Sequence, residues 1–370
     1  MISSALVSVI VLNYNGKKYI EQCIESVLKS DYGNLEILIV DNNSTDDSID
    51  IAETKFKDTR LKIIRSDKNL GFATGNNLGA MHAKGDYIVL LNIDTMVNSK
   101  WLKEIISVME SDLSVGVAQP KLLSLDDPST FDSVGDYVDF FGNSFRRGGD
   151  WLEEDHGQYD TIHNIFSARG AALITRKAIV DAIGLFDDDY FLDFEDIDFC
   201  WRVKLWGKRV VLIPSSVVYH KGSGISSQDE GIKGMHPAKN LLMTMIKNYD
   251  RTHMIAYVLI PHVISFFTGL FLLEQLLMRR NNKLRRIRDR VSAYVWLVRN
   301  IRKLQAKRKY VQTKLRKMPD SEIMEDMIET SPLKLAAYLF NIAKFGRSKA
   351  GMIYFNKGLP PRAMLQENIS

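Results

Sequence analysis

The chain has 370 residues, 45% of them hydrophobic, so it is long enough to bury one large core or two smaller ones and is not a disordered protein. Its two cysteines, Cys23 and Cys200, lie in apolar helical patterns without metal-ligand spacing, which excludes a disulfide framework and indicates a reducing compartment. Residues 1–250 carry 26 Lys and Arg against 37 Asp and Glu, whereas residues 251–370 carry 23 against 8. We therefore expect the two parts to face different partners.

Strand and helix patterns alternate through the first part of the chain. The predicted strands lie at 7–12, 36–40, 61–64, 87–91 and 115–118, and the predicted helices at 20–28, 44–55, 72–83 and 101–109. Because the strands are continuous apolar runs separated by helices, they predict a mostly parallel sheet covered on both faces. The first run is too short for a signal-peptide core and follows no basic region, so no secretion signal is expected.

The periodic pattern fades between 124 and 160, where Asp, Gly, Ser and aromatic residues mix. We expect a long loop region there, forming a flap on the acceptor side of a site. Beyond it the sequence predicts a strand at 165–175 interrupted at Gly170, a helix at 191–205, and late strands at 210–213 and 217–219. The globular unit is expected to end near Gly224.

A different composition follows the globular unit. Residues 254–273 are uncharged and long enough to cross a bilayer, but Pro261 makes a kinked or re-entrant segment an equal alternative to a straight span. Between 279 and 317 there are sixteen Lys or Arg and a single acid, Asp289. A basic cluster beside an apolar segment favours anionic lipid headgroups over nucleic acid, at about 1 kcal/mol per cation near the surface. A single span would place the basic region and the α/β domain on opposite sides of the membrane, whereas the positive-inside bias places basic residues in the cytoplasm. A re-entrant or in-plane segment would resolve this conflict.

These patterns divide the chain into four parts. They are an α/β domain at 1–225, a connector at 226–252, a hydrophobic membrane-associated segment at 253–278 and a basic helical region at 279–370.

The strand predicted at 87–91 ends in Asn92-Ile93-Asp94, which places an amide and a carboxylate two residues apart at a strand end. Ligands of open α/β sheets bind outside the carboxyl ends of the strands. Carboxylate and other oxygen donors suit Mg²⁺ or Mn²⁺ bound together with substrate phosphates. A turn that merely caps the next helix remains the alternative.

The first two strand-to-helix turns are polar rather than glycine-rich. The run Asn13-Tyr14-Asn15-Gly16 lacks the glycine pattern that binds a dinucleotide pyrophosphate. A dinucleotide-binding function such as NAD binding is therefore excluded. Tyr14 would either stack on a base or pack on the first helix. Asp41, at the end of the second strand, would either accept from a base or ribose or only shape its turn.

The third turn places glycines and amides around a helix N-terminus. Asn69, Gly71 and Asn76 belong to this turn, where free backbone N–H groups would meet an anion or a sugar hydroxyl.

Four acids crowd the six residues 193–198. The helix dipole accounts for about two of them. Mutual repulsion should raise the pKa of one, which would then serve as a general base. His220 follows a strand and is a candidate metal ligand beside the oxygen-rich site.

Six segments appear in the order found in family 2 glycosyltransferases, and the chain resembles the rhamnosyltransferase-like branch of that family over about residues 6–224. The segments are 9–15, 40–46, 69–72, 92–95, 170–173 and 194–198. The resemblance implies a GT-A (nucleotide-diphospho-sugar transferase) fold and an inverting glycosyltransferase domain over 1–225.

The resemblance also implies roles for individual residues. Asp94 would be the metal-binding acid of the family's D-x-D motif, with Mg²⁺ or Mn²⁺ as cofactor and His220 as the second ligand. The first acid of that motif is Asn92 here, so Asn92 would meet the sugar or ribose instead. Asp196 would be the general base and Glu195 its neighbour, positioning the acceptor or tuning the base. The donor-binding set is Asn13, Tyr14, Asn15, Asp41, Asn69, Gly71, Asn76, Asn92, Ile93 and Asp94.

The function expected from the resemblance is transfer of a sugar from a UDP-, dTDP- or GDP-sugar to a hydroxyl of a glycan or polyprenyl-linked glycan. The expected location is the cytoplasmic face of the cell membrane, with anionic lipids and not nucleic acid as partners, in polysaccharide or cell-envelope biosynthesis. A sugar-nucleotide pyrophosphorylase and a non-catalytic, membrane-tethered glycan-binding scaffold are the alternatives.

Overall fold

The computed structural model describes residues 5–150, 153–222, 234–263 and 283–330, with side chains described from 288 in the last range. Its strands are β1 Val7–Asn13, β2 Leu35–Asp41, β3 Leu61–Arg65, β4 Tyr87–Asn92, β5 Thr95–Val97, β6 Val115–Ser124, β7 Phe131–Ser133, β8 Asp136–Val138, β9 Ser144–Arg146, β10 His163–Asn164, β11 Ala172–Arg176 and β12 Arg209–His220. The helices of the first 210 residues are α1 Ile20–Leu28, α2 Ser48–Lys55, α3 Gly71–His82, α4 Trp101–Ser111, α5 Lys177–Ile183 and α6 Glu195–Leu205.

The central sheet is mixed. Its strand order is β10-β12-β6-β11-β4-β1-β2-β3, with β5 paired to β12 and β7 to β6. The strands β4, β1, β2 and β3 are mutually parallel, as the sequence predicts. The strand β11 runs antiparallel between β4 and β6, so the sheet is parallel in two parts rather than throughout.

The register of the parallel strands brings their polar ends together. Asn13 at the end of β1 pairs with Asp41 at the end of β2, and Leu12 pairs with Asn92 at the end of β4. Since parallel strands end at one edge of the sheet, the three polar turns meet there.

Both faces of the sheet are buried. One face packs Val9, Ile37 and Val89 against helices that include Trp101 of α4. The other face packs residues such as Ile10 into a core that includes helix α6. This double cover explains why the strands read as continuous apolar runs rather than as alternating ones.

Two element boundaries differ from the sequence-based expectation. Helix α2 begins at Ser48 rather than at 44, because the Ser44 hydroxyl accepts hydrogen bonds from Asn13 Nδ2 and Asn15 N, both at 3.0 Å. Ser44 therefore links the turns after β1 and β2 by hydrogen bonds and does not cap helix α2. The two late strands form one strand, β12, with an irregular pairing after Ile213.

The segment 124–160 is more ordered than a loop. It contains β7, β8 and β9, and β6 extends to Ser124. Its short strands pair with each other (β8 with β9) and with the sheet (β7 with β6), and the short turns between them hide the strand spacing in the sequence.

The C-terminal part adds helices to the same body. They are α7 His236–Asn248, α8 Arg251–Met254, α9 Lys283–Arg299, α10 Ile301–Tyr310 and α11 Asp320–Met324, with π-helical turns at Ile255–Leu259 and Val311–Leu315. Helix α7 packs against α6, and α9 and α10 pack against α7.

The hydrophobic segment predicted at 253–278 lies mostly outside the described residues, which resume at 283. Among the helices that are described, none has the length and apolar character needed to cross a membrane.

Candidate active site

Asp94 and His220 meet at the strand ends. The Asp94 Oδ1 atom lies 3.3 Å from His220 Nε2, and both side chains are buried. The meeting follows from the sheet: His220 ends β12 and pairs with Thr95 of β5, directly after Asp94. The Lys221 N–H also donates to the Asp94 carbonyl at 3.0 Å. Two residues distant in sequence are thereby held in one place, as the sequence predicts for a shared site.

A third acid, Asp132, completes this cluster. The Nδ1–H of His220 donates to Asp132 Oδ2 at 2.8 Å, and the other Asp132 oxygen accepts from Arg146 Nη1 at 3.1 Å. Asp132 lies in β7, within the segment that the sequence left without periodic structure. Sequence reasoning missed it because no motif or period singles out this aspartate among its acidic neighbours.

The charges in this cluster shift its pKa values in opposite directions. Burial opposes protonation of His220, but its hydrogen bonds to Asp132 and Asp94 outweigh burial and raise its pKa to about 9. Burial would raise the pKa of Asp132, yet the hydrogen bond and charge of His220, with Arg169 and Arg146, lower it to about 2. The cluster is therefore a compact set of opposite charges.

The donor set fits a divalent cation. Asp132 fixes the proton of His220 on Nδ1, so Nε2 is the ring nitrogen available to a metal beside the Asp94 carboxylate. A carboxylate that orients a metal-binding histidine is a common supporting arrangement in metalloproteins. Asn92 Nδ2 lies 3.3 Å from the same Nε2, so the amide borders the site without adding charge.

Asn13 plays a different part from the predicted one. Its side chain is fully buried, and Nδ2 donates to Ser44 Oγ at 3.0 Å and Ser48 Oγ at 2.9 Å. The Nδ2 group therefore ties β1 to the turn after β2, while Oδ1 has no hydrogen-bond partner among the described residues. These buried partners cannot be inferred from the turn sequence, and a role for Asn13 in donor binding stays a prediction.

Asp41 and Asn15 shape the neighbouring turns. Asp41 Oδ1 accepts from Ser44 N at 3.1 Å, and among the described residues Oδ2 makes no hydrogen bond. Asn15 is exposed, has a φ of 52°, and accepts from Thr45 N at 2.8 Å. Tyr14, between them, is half-buried. Asp41 and Tyr14 thus remain available to a ligand.

The third turn does not offer free N–H groups. The first amides of α3 already have acceptors: Leu70 N donates to Asn42 Oδ1 and Gly71 N to Asn69 Oδ1, both at 2.8 Å. Phe72 N donates to the carbonyl of Phe191 at 2.7 Å. These three N–H groups are therefore not free to bind an anion or a sugar hydroxyl, and donor binding by this turn stays a prediction.

Gly71 has a structural role in the same turn. Its φ of 75° favours glycine, and a Cβ there would approach the Phe191 carbonyl oxygen to 2.5 Å. The turn is consequently packed against the chain that leads into the acidic cluster.

Two further predicted donor residues face the interior. Asn76 is buried and donates to the carbonyl of Phe72 in its own helix at 2.9 Å. The Ile93 side chain is buried in the core, where a Cβ at Gly16 would approach it to 2.9 Å. Both side chains are thus buried, Asn76 within its helix and Ile93 in the turn between β4 and β5, and their roles in donor binding stay predictions.

The acidic cluster sits on a strained turn. Asp193 and Phe194 have φ values of 71° and 74°, and α6 begins immediately afterwards at Glu195. Non-glycine residues in this region are uncommon and cluster at functional sites. The helix predicted to start at 191 therefore starts four residues later, beyond the two left-handed residues.

The raised pKa expected in this cluster falls on Glu195. Burial, together with the charges of Asp196 and Asp193, raises the pKa of Glu195 well above its ordinary value. Its Oε2 atom has no hydrogen-bond partner among the described residues. Glu195 is thus the acid that keeps its proton, whereas the half-buried Asp196 is the neighbour with the more accessible carboxylate.

The fourth acid, Asp198, is structural. It is fully buried and accepts from Arg202 Nε and Asn248 Nδ2, each at 2.9 Å, with Lys247 Nζ at 3.0 Å. Asp198 therefore joins helices α6 and α7 and has a structural role in the cluster.

Two hydrogen bonds to residues 170 and 171 join the acidic cluster to the strand that carries Asn92. Asp196 Oδ2 accepts from Gly170 N at 2.9 Å, and the next carbonyl, that of Ala171, accepts from Asn92 N at 2.9 Å. The dipeptide 170–171 thus places the two predicted functional segments side by side. A Cβ at Gly170 would approach the Phe72 ring to 2.8 Å, so this contact favours glycine.

Arg169 supplies positive charge between the two halves of the site. Its Nη1 lies 3.2 Å from both oxygens of Asp136. Burial would lower its pKa, but Asp136, Asp132 and Asp196 outweigh burial and raise it. The side chain is 29% exposed, although its Nε atom is buried without a hydrogen-bond partner among the described residues. No sequence pattern singles out this arginine, which directly precedes the segment 170–173.

A second group of possible ligands lies in the C-terminal part. His253 Nδ1 is 2.9 Å from Asp250 Oδ2 and 3.3 Å from Asp320 Oδ2. Arg316 already pairs with the other Asp320 oxygen at 2.7 Å. This group is a satisfied ion network that joins the C-terminal helices.

Comparison with known proteins identifies the family. Residues 8–179 match the family described as "Glycosyl transferase family 2". The glycosyltransferase GlyG of Streptococcus pneumoniae is 36% identical over 114 residues, which are 30% of this chain and 38% of that protein. The Escherichia coli protein WfaP, named a UDP-Glc:alpha-D-GlcNAc-diphosphoundecaprenol beta-1,3-glucosyltransferase, is 38% identical over 107 residues, 29% of this chain and 42% of its own. The chain thus spans about two fifths of the length of these relatives.

Solved structures share the fold at low sequence identity. Staphylococcus aureus TarS 1–349 superposes with a TM-score of 0.51 at 17% identity, over 95% of this chain and 90% of that one. GalNAc-T7, crystallised with UDP, GalNAc and Mn²⁺, superposes with a TM-score of 0.55 at 16% identity, over 68% of this chain and 49% of that one. The fold is GT-A-like, and residues 8–179, which supply most of its sheet, match glycosyl transferase family 2.

Proposed function

We propose that the protein is a glycosyltransferase that moves a sugar from a nucleotide-diphosphate donor to a hydroxyl of an acceptor. The observation that carries the proposal is the hydrogen bond from Gly170 N to Asp196 beside the strand that leads to Asp94, whose carboxylate faces His220. In this proposal Asp196 would serve as the proton acceptor, and Asp94 with His220 would serve as the cation-binding pair.

The donor is bound by the strand ends. Asp94 and His220 would hold Mg²⁺ or Mn²⁺, and Asp132 would keep the imidazole in place. When bound, the cation would neutralise charge on the donor's diphosphate. The GalNAc-T7 structure, which contains Mn²⁺ and UDP, supports this proposal by its similar fold. The free Oδ2 of Asp41 is suited to a base N–H or a ribose hydroxyl.

Transfer follows as a single displacement. Asp196 takes the proton of the acceptor hydroxyl while that oxygen forms a bond to the anomeric carbon, and the bond from this carbon to the diphosphate oxygen breaks. Attack from the face opposite the nucleotide inverts the anomeric centre. Burial and the charges of Asp196 and Asp193 raise the pKa of Glu195, which favours its uncharged form beside Asp196. The donor is a UDP-, dTDP- or GDP-linked hexose or rhamnose.

The acceptor is a glycan or a polyprenyl-linked glycan of the cell envelope. Support comes from WfaP, whose name states a diphosphoundecaprenol-linked acceptor. A location at the cytoplasmic face of the membrane, against anionic lipids, is part of the proposal. It is supported by α9, where Val291, Tyr294 and Val298 are exposed next to Arg288 and Arg299. Apolar and basic side chains on one exposed helix suit an in-plane contact with a lipid surface.

The alternatives gain less support from the site. A pyrophosphorylase needs a glycine-rich, basic loop after β1 to hold a triphosphate, whereas Asn13 and Asn15 use this turn for hydrogen bonds to the next turn. A non-catalytic scaffold would have no need for a base and a cation-binding pair at one edge.

The test is a donor screen. Nucleotide-diphosphate release is measured for a panel of UDP-, dTDP- and GDP-sugars with a lipid extract as acceptor source and Mn²⁺ or Mg²⁺ present. Release that depends on the extract and is lost in Asp196→Asn supports the proposal. A panel in which no donor is consumed would favour the scaffold.

A further inference from the structure

The turn that presents Asp196 needs support from outside itself. Asp193 and Phe194 both adopt left-handed backbone, and neither is glycine. Such backbone is unfavourable and persists only where the surroundings hold it. Since Asp196 follows within two residues, the position of its carboxylate depends on whatever fixes this turn.

Asn240 of helix α7 contacts the turn directly. Its side chain Nδ2 donates to the carbonyl of Leu192 at 2.8 Å and to the carbonyl of Asp193 at 2.7 Å. The residue is fully buried. Both acceptors are carbonyl oxygens, so only the amide NH₂ group can face them, and each of its hydrogens is used on the strained turn.

The opposite end of α7 fixes the helix relative to the same segment. Lys247 Nζ lies 2.7 Å from Asp187 Oδ2 and 3.0 Å from Asp198 Oδ1, and Asn248 Nδ2 donates to Asp198 Oδ1 at 2.9 Å. Asp187 precedes the turn and Asp198 follows it. The helix is therefore attached on both sides of the turn, which sets where Asn240 sits.

Helix α10 reinforces this attachment from further along the chain. Lys307 pairs with Asp187 and, at 2.5 Å, with Asp189 Oδ2, while Lys303 Nζ lies 2.5 Å from Asp189 Oδ1. The segment before the turn is thus held by lysines of two helices that both lie beyond the matched residues 8–179.

From these contacts we infer that Asn240 is a positioning residue that acts through Asp196. The inference rests on the proposed role of Asp196 as general base. In the absence of these two hydrogen bonds the carbonyls of Leu192 and Asp193 lose the Asn240 amide, and the turn relaxes toward ordinary backbone. The first turn of α6 then rotates, and the Asp196 carboxylate leaves the place set by Gly170 N.

The inference is tested with Asn240→Ala, measured alone and in an Asp196→Asn background. The assay is nucleotide-diphosphate release from the donor selected by the screen, with saturating lipid extract as acceptor source. Alone, Asn240→Ala is expected to lower kcat by about 10- to 100-fold, because small displacements of reacting groups cost that much. Donor KM and Mn²⁺ affinity should change by less than about twofold, since the donor side is untouched.

In the Asp196→Asn background, Asn240→Ala should cause no further loss, because its effect passes through the missing base. An equal loss in both backgrounds would indicate general disruption and would overturn the inference. If Asp196→Asn itself leaves kcat unchanged, the proposed base fails and the inference falls with it. If only Asn240→Ala leaves kcat unchanged, the inference alone is overturned.

Two variants guard against misfolding. Asn240→Ser keeps one hydroxyl donor, so its kcat should lie between those of Asn240→Ala and the wild type. A wild-type kcat for both Asn240 variants would overturn the inference. The matched control is Thr244→Val, which lies in the same helix as Asn240. This change removes a buried hydrogen bond of 2.6 Å between the hydroxyls of Thr244 and Tyr190. This control should lower the melting temperature and leave kcat within about twofold.

Discussion

Asp132 accepts a hydrogen bond from His220 Nδ1 at 2.8 Å, so an acid from a region without recognisable sequence pattern orients a histidine at the end of β12. The other side of the same imidazole faces Asp94 at 3.3 Å. The cation-binding strength of the site should therefore depend on Asp132 even though it would not touch the cation.

The first prediction concerns this supporting acid. Asp132→Ala should weaken Mn²⁺ binding by about 10- to 100-fold, which is the usual cost of removing the partner of a metal-binding histidine. Isothermal titration with Mn²⁺ alone measures the effect without any substrate. Asp126→Asn serves as control, since Asp126 is 63% exposed and pairs only with Lys221 among the described residues. Equal Mn²⁺ affinity in the Asp132 variant and the control would contradict the role given to Asp132.

The second prediction concerns the missing acid of the D-x-D pattern. Asn92→Asp should tighten Mn²⁺ binding, by roughly tenfold, because a second charged oxygen donor is added next to Asp94. The change is measured by isothermal titration with Mn²⁺ for the wild type and the variant. Equal Mn²⁺ affinity in the two proteins would show that Asn92 lies away from the cation.

The third prediction separates the two acids at the start of α6. Asp196→Asn should lower kcat by about 10²- to 10⁴-fold, the typical contribution of a general base. Glu195→Gln should retain most of the activity, because a buried glutamate with a raised pKa already carries its proton and glutamine has the same shape. Steady-state kinetics on both variants decides the matter. Comparable losses in both would mean that Glu195 acts as a charged group.

The pH dependence of stability gives a fourth prediction from the same residue. The folded protein holds the Glu195 proton to a higher pH than the unfolded chain does, because burial raises the folded pKa. Between the ordinary glutamate pKa of 4.5 and the raised one, the folded state binds more protons, so stability falls as pH rises. Glu195→Gln removes this titrating group, so the free energy of unfolding in urea should depend less on pH in the variant than in the wild type. A parallel profile in both proteins would contradict the assigned proton.

The fifth prediction concerns the buried ion pairs beneath the site. Asp198→Ala leaves Arg202 and Lys247 buried without their shared partner, which should cost about 3–5 kcal/mol of unfolding free energy. The matched control is Asp181→Ala, which breaks an exposed i, i+4 pair with Lys177 and should cost less than about 0.5 kcal/mol. Equilibrium urea unfolding measures both changes. A small loss for Asp198→Ala would mean that solvent reaches this network.

Much of the parallel half of the fold can be predicted from the sequence, since both faces of those strands are covered and leave continuous apolar runs. Asp94 and His220 could be placed because each ends a strand, and strand ends share an edge. The antiparallel strand β11 could not be recognised as such, because pairing direction leaves no mark on a fully buried strand.

The side chains of three predicted donor ligands make structural hydrogen bonds. Asn13 and Asn76 donate through Nδ2, and Asn69 accepts through Oδ1, each to a neighbouring turn or helix. Asparagine serves both purposes equally well, and only the position of its partners distinguishes them. The roles of Asp132 and Asn240 could not be predicted, because each side chain bonds to a residue that is far away in sequence.

The measurement that tests the account most directly is nucleotide-diphosphate release by the wild-type protein and by Asp196→Asn, using a panel of UDP-, dTDP- and GDP-sugars with lipid extract and Mn²⁺. The account predicts release from at least one donor, dependent on the extract and lowered by about 10²- to 10⁴-fold in the variant, whose fold and Mn²⁺ affinity are unchanged. Release at the wild-type rate by Asp196→Asn, or consumption of no donor by the wild type, would contradict it.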